Sequence, residues 1–168
     1  GCDKMIRLSD ASGNGSQTLQ VHVPAGIENG KSIRLKGKGN PGFNGGEAGD
    51  LLLKVNIQPK PGYERNCMDV YTTTEIPFTT AVFGGEAKVS TLYGDVICRI
   101  PEGAQTGRKI RLKGKGIVSM KNPSVHGDQY VTIRIQVPQD LSLQAKEKLR
   151  EFQQICKNDQ QRRRGSVA

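Results

Sequence analysis

Apolar residues in this chain recur mainly with a period of two, the spacing that lines one face of a β-strand. The alternation predicts strands over residues 5–8, 18–23, 32–35 and 50–57, and again over 69–76, 87–91, 94–100, 109–112 and 128–137. Pro24-Ala25-Gly26 and Pro101-Glu102-Gly103 end two of these strands alike. Proline donates no ladder hydrogen bond, and glycine accepts positive φ. Tyr93-Gly94-Asp95 marks a hairpin turn, and the polar, Gly-rich stretch 9–17 is a loop in the equivalent place. A weak helical turn is expected over 79–82. Only 143–157 reads as a clear helix, with Ser142 as N-cap. Ala145, Leu149, Phe152 and Cys156 form one stripe, with Leu141 and Ile155 beside it. That stripe must fold back on its own domain or pair with a copy from another chain.

The pattern is written twice. Residues 23–39 read VPAGIENGKSIRLKGKG and residues 100–116 read IPEGAQTGRKIRLKGKG, identical at ten of seventeen positions without a gap. The echo continues one residue later in the second copy, where Gly127-Asp128-Gln129 answers Gly49-Asp50-Leu51. An offset of 77–78 residues is too long for a solenoid repeat and suits two small domains in tandem. The expected division is a first β domain at 1–66, a second at 67–139, a helix at 140–157 and an unstructured basic tail at 158–168. In the second copy a strand and a helical turn precede Gly84-Gly85, whereas nothing precedes Gly1 in the first. The first copy thus lacks about 15 residues at its start, and the chain is expected to be a fragment of a longer protein.

Composition narrows the function classes. Only 35% of the 168 residues are hydrophobic, and 21 are Gly and 8 Pro, which suits many short strands and turns. Aromatics make up 5% and Trp is absent, a poor supply for a stacking platform on single-stranded nucleic acid. No stretch approaches the roughly 20 apolar residues of a membrane span, and no signal peptide is visible. The four cysteines, Cys2, Cys67, Cys98 and Cys156, are scattered and form no C-x-x-C. That spacing fits neither a zinc ribbon nor a disulfide framework, and a reducing, cytoplasmic setting with no bound metal or cofactor is the simplest expectation. The net charge of +9 falls to +6 without Arg162, Arg163 and Arg164. Such a surplus permits contact with DNA or acidic peptides and demands neither.

Candidate motifs are few. Gly30-Lys31-Ser32 resembles the end of a phosphate-binding loop, but Ala25 stands where its first glycine belongs, and the flanks read strand–turn–strand rather than strand–helix. The paired IRLKGKG runs suit either phosphate contact or a strand followed by a Gly-stabilised loop with solvated lysines. His22 and His126 have no Cys, Ser or carboxylate at catalytic spacing, and His22 should face solvent or a neighbouring strand. Arg163-Arg164-Gly165-Ser166 matches a basophilic kinase site of the kind that arises often by chance. The chain therefore reads as a binding protein and not an enzyme.

Several stretches together resemble the C-terminal peptide-binding region of DnaJ-type co-chaperones: VHVPAGIENGKSIRLKGKG, GGEAGDLLLKVNI, PGYERNCMDVY, FTTAVFGGEAKVSTLYGDV, and IRLKGKG followed by GDQYVTI. They cover residues 1 to about 157. The resemblance implies an all-β protein with two similar β-sandwich domains and a short dimerisation helix carrying Leu141, Ala145, Leu149, Phe152 and Ile155. The short stretch 9–17 fills the gap where some members carry a zinc module, so the chain resembles the zinc-less branch, which includes bacterial proteins of the curved-DNA-binding type. No J domain with its His-Pro-Asp motif is present in this sequence. The resemblance further implies that unfolded client polypeptides add as a strand in the first domain, against Ile6, Leu8 and Tyr63, and pass to a DnaK-type chaperone. Tyr63 stands where family members often have Phe. Lys4 and Arg7 match positions that meet the acidic tail of the partner chaperone in eukaryotic relatives. Read without the resemblance, Ile6 and Leu8 are ordinary sandwich core. A homodimer, with DNA binding as the alternative function, completes the expectation.

Overall fold

The computed structural model describes residues 1–9, 16–42 and 46–165. The first half contains β1 (Cys2–Ser9), β2 (Ser16–Val23), β3 (Ser32–Leu35) and β4 (Leu51–Lys54). The second contains β5 (Glu64–Asn66), β6 (Asp69–Pro77), α1 (Phe78–Phe83), β7 (Gly85–Thr91), β8 (Gly94–Ile100), β9 (Lys109–Leu112) and β10 (Gln129–Gln136), followed by α2 (Leu143–Gly165). The protein is mostly β, as its period-two pattern requires.

β1 pairs antiparallel with β2, and β3 with β4. In the second half β7 and β8 form the matching hairpin, while β5, β6, β10 and β9 form a four-stranded sheet in that order. β6 runs parallel to β10, the connection between them carrying the whole of α1 to β9. The hairpin packs over this sheet: Val89 and Cys98 meet Val131 of β10 and the half-buried Ile110 and Leu112 of β9. A second cluster joins Ile76, Ala81, Ile100, Ala104 and Ile133, capping the end of the sandwich with α1. The fully buried Gln129 binds these layers by donating from Nε2 to Thr72 Oγ1 at 2.9 Å and to Ser90 O at 3.0 Å.

The duplication extends to single hydrogen bonds. Leu35 faces Leu51 across β3–β4, as Leu112 faces Gln129 across β9–β10. The Gly37 amide donates to Asp50 Oδ1 at 2.8 Å, and the Gly114 amide to Asp128 Oδ1 at 2.8 Å. Arg34 grips the other oxygen of Asp50, its Nε at 2.6 Å, and Arg111 Nε lies 3.0 Å from Asp128 Oδ2. Gly37 (φ 65°) and Gly114 (φ 69°) turn their amides inward from the left-handed region, which glycine enters without the Cβ penalty. The IRLKGKG run and the distant Gly-Asp pair thus make one device, a carboxylate that fixes the turn after a strand. The Gly37 amide, and then Arg34, hold the Asp50 carboxyl below the usual carboxylate range.

Two features differ from expectation. β5 was not anticipated, because Glu64-Arg65-Asn66 has no apolar alternation. The helix does not stop at Lys157: α2 continues to Gly165, so the basic stretch through Arg162 is helical rather than an unstructured tail. Its Gln and Arg residues are good helix formers without adding to the apolar stripe. Residues 10–15 of the expected loop, and 166–168 at the end of the kinase-like motif, lie outside the described residues.

Candidate functional site

β1 is an edge strand. Among the described residues its only pairing partner is β2, so one row of its backbone groups faces outward. Alternation puts Lys4, Ile6 and Leu8 on one face and Met5 and Arg7 on the other. Ile6 faces Leu19 across the ladder, and Lys4 faces Val21, one of the few fully buried residues of the first half. The Ile6–Leu8 face is thus the inner one, and both side chains remain half-exposed on it. Lys4 and Arg7 are exposed but point to opposite sides, so they do not form one cationic patch on a single face. His22 is solvent-exposed, with Nδ1 at 2.7 Å from Asp3 Oδ1 on the outer side of the hairpin.

The equivalent hairpin in the second half is filled. Val89 and Thr91 of β7 hold the ladder positions of Ile6 and Leu8, and both are buried. Thr91 is further engaged, donating from Oγ1 to Gly94 O at 2.6 Å. At these two inner-face ladder positions, the first hairpin therefore keeps branched apolar side chains accessible beside a strand edge, and the second buries its residues.

Tyr63 lies beside a depression of the second sheet. It lines an open depression of about 460 Å³ with Glu64, Tyr71, Thr73, Lys109 and Thr132, on the outer face of the four-stranded sheet, and neither Ile6 nor Leu8 belongs to that lining. Lys60 Nζ sits 4.5 Å from the Tyr63 ring centroid. Tyr71 and Tyr130, opposite each other on β6 and β10, stack at 5.2 Å in the same region. Period-two reasoning could not place Tyr63, because it lies in the connection before β5 rather than on a strand.

The helix stripe is split. Leu141, Ala145, Leu149 and Phe152 line an apolar cleft of about 380 Å³ against Phe78, Val82 and Phe83 of α1. Phe152 is still 48% exposed, and Ile155, beyond the cleft, 60% exposed. The start of α2 thus leans on its own domain while much of the stripe stays open to solvent.

Among the described residues no cluster of His, Cys, Asp and Glu has the geometry to hold a metal ion, and no helix is long and apolar enough to cross a membrane.

Residues 1–138 match the DnaJ C terminal domain family, and the chain belongs to that family. It is 40% identical over 137 residues to the chaperone protein DnaJ of Lachnospira eligens, covering 82% of this chain and 36% of that protein. It is 44% identical over 139 residues to the chaperone protein DnaJ of an Exiguobacterium species, covering 83% and 38%. The same protein of Burkholderia thailandensis is 43% identical over 138 residues, covering 82% and 36%. The chain thus spans little more than a third of the length of these curated relatives. These relatives are named as chaperone proteins.

Proposed function

We propose that this member of the DnaJ C-terminal domain family binds extended apolar segments of unfolded client proteins along the free edge of β1, in the cytoplasm, and passes them to a DnaK-type chaperone. The observation that carries the reading is the contrast between two equivalent hairpins. Ile6 and Leu8 are half-exposed beside an unpaired edge, whereas Val89 and Thr91 are sealed in core. An added strand gains main-chain hydrogen bonds from the edge, and its alternate side chains meet Ile6 and Leu8. Lys4 sits at the rim of that face, with its charge available to an acidic partner segment. Tyr63 contributes as an aromatic wall only if a client reaches from β1 to the depression before β5.

We assign the open stripe of α2 to pairing with a second copy, which would give two client edges per assembly. Two weak sites on one unfolded chain raise its retention by about 10²–10⁴-fold. The cleft against α1 supports this, since Leu149, Phe152 and Ile155 are only partly covered by their own domain.

Peptide titration tests the reading. Affinity for an extended apolar peptide should fall in Ile6→Ser and Leu8→Ser variants that keep the wild-type fold. DNA contact receives less support, because Arg34 and Arg111 of the basic repeats are held by Asp50 and Asp128.

A further inference from the structure

We propose that Arg65 is a positioning residue that locks the two halves of the protein at a fixed angle, so that the first hairpin keeps one orientation relative to α2. Tandem domains usually move relative to each other unless a large or specific interface prevents it. Here the segment between the halves is bonded on both sides. Towards the second half, Met68 O accepts from the Ile117 amide at 2.7 Å and Asp69 Oδ1 from the Asp128 amide at 2.8 Å. Towards the first, the Arg65 guanidinium donates to Ile27 O at 2.8 Å and Gly26 O at 3.0 Å, while its Nε donates to Cys67 O at 2.8 Å. One planar side chain thus joins the turn after β2 to the segment anchored on the second sheet.

A second observation points to the same joint. A Cβ on Gly26 would lie 2.1 Å from Val118 O, so the backbone of this turn touches the second half. A Cβ on its repeat counterpart, Gly103, would meet nothing within 4 Å among the described residues. The close approach therefore belongs to the junction and not to the repeated turn. Arginine suits the role because its rigid fork supplies several donors in fixed directions while its charge never titrates away. Lysine, a single flexible ammonium, cannot span both halves with the same fixed geometry. The consequence for client holding rests on the groove reading above: a fixed joint would hold two β1 edges of a dimer at a set separation.

Paired spin labels measure the joint directly. One label goes on Cys2, the other on an Glu102→Cys variant, with Cys67 and Cys156 changed to Ser; dilution with unlabelled protein isolates the distance within one chain. The expected result is a single narrow distance peak for this protein, broadened in Arg65→Ala and Arg65→Lys, and unchanged in the control Arg99→Ala. A broad distribution with Arg65 intact overturns the proposal without any need for the variants to fold. So does a narrow, unshifted peak in a folded Arg65→Ala protein. Short-peptide affinity should stay at its original value in Arg65→Ala, while retention of a long client should fall about tenfold or more towards the single-site value. If short peptides fail to bind at β1 but the distance peak is narrow, the groove reading fails and the joint stands.

Discussion

The two halves of this protein share their turns and registers but differ in how deeply they bury their strands. Val131 and Ile133 of β10 are each 1% exposed. Their repeat counterparts, Leu53 and Val55, are half-buried, though Leu53 faces Ile33 just as Val131 faces Ile110. The difference lies in what surrounds the pair. In the second half β6 runs alongside β10, and α1 with the hairpin closes over it. In the first half β4 has β3 as its only strand partner among the described residues. The Arg–Gly–Asp device therefore sets register locally, and burial is decided by the neighbouring layers. The same contrast gives the two hairpins different work. The second seals core, and the first leaves Ile6 and Leu8 accessible beside a free edge.

Core truncation should separate the halves most strongly. Ile133→Ala should cost about 2–5 kcal/mol, because it opens a cavity in a packed cluster. Val55→Ala at the matching position should cost about 1 kcal/mol. Denaturant titrations of both variants, read alongside this protein, check the difference. Equal losses would mean that the halves share one cooperative core.

Most of this contrast was out of reach of the sequence. Period-two alternation located the long strands, since each buries alternate residues against another layer, and the repeat located the turns. It could not show that Leu53 and Val131 differ in burial, because both are apolar at the same place in the same motif. Asp50 and Asp128 stood out only as an echo, their arginine and glycine partners lying 13 to 17 residues away. β5 and the end of α2 escaped because polar residues carry no burial signal. Of the candidate site, the shared face of Ile6 and Leu8 followed from alternation. The position of Tyr63 beside the outer face of the four-stranded sheet depended on the pairing of β5 with β6, which the polar sequence of β5 does not signal.

Next in size is the turn glycine of each half. Gly37→Ala and Gly114→Ala force a Cβ into the left-handed region, and each should lose about 1–2 kcal/mol, alike in the two halves. A twofold or greater difference would show that the turn's strain depends on the surrounding layers after all.

The carboxylate device gives a smaller, pH-dependent effect. Asp50 has its folded pKa lowered, by the Gly37 amide first and by Arg34 next. A carboxyl with a lowered folded pKa adds stability above its unfolded value of about 3.9, and that stability is lost as pH falls through the folded value. Melting temperatures should thus drop on acidification, and Asp50→Asn should flatten this dependence while lowering stability at neutral pH. A variant with an unchanged acid slope would remove Asp50 from the account.

Cysteine reactivity should show the smallest effect. Burial pushes the Cys98 thiol up, and it sits inside the second sandwich, whereas Cys2 and Cys67 are exposed. An alkylating reagent should label Cys2 and Cys67 well before Cys98, since the thiolate is the reactive form. Early labelling of Cys98 would mean that the second hairpin opens readily.

The most direct test of the central claim compares the two hairpins by peptide binding. An extended apolar peptide labelled with a fluorophore is titrated into this protein, Ile6→Ser, Leu8→Ser and, as the matched control, Ile97→Ser on the exposed face of β8. Binding to the first hairpin predicts weaker affinity in both β1 variants, with the β8 variant unchanged and all four proteins folded. Unaltered affinity in Ile6→Ser and Leu8→Ser would contradict it.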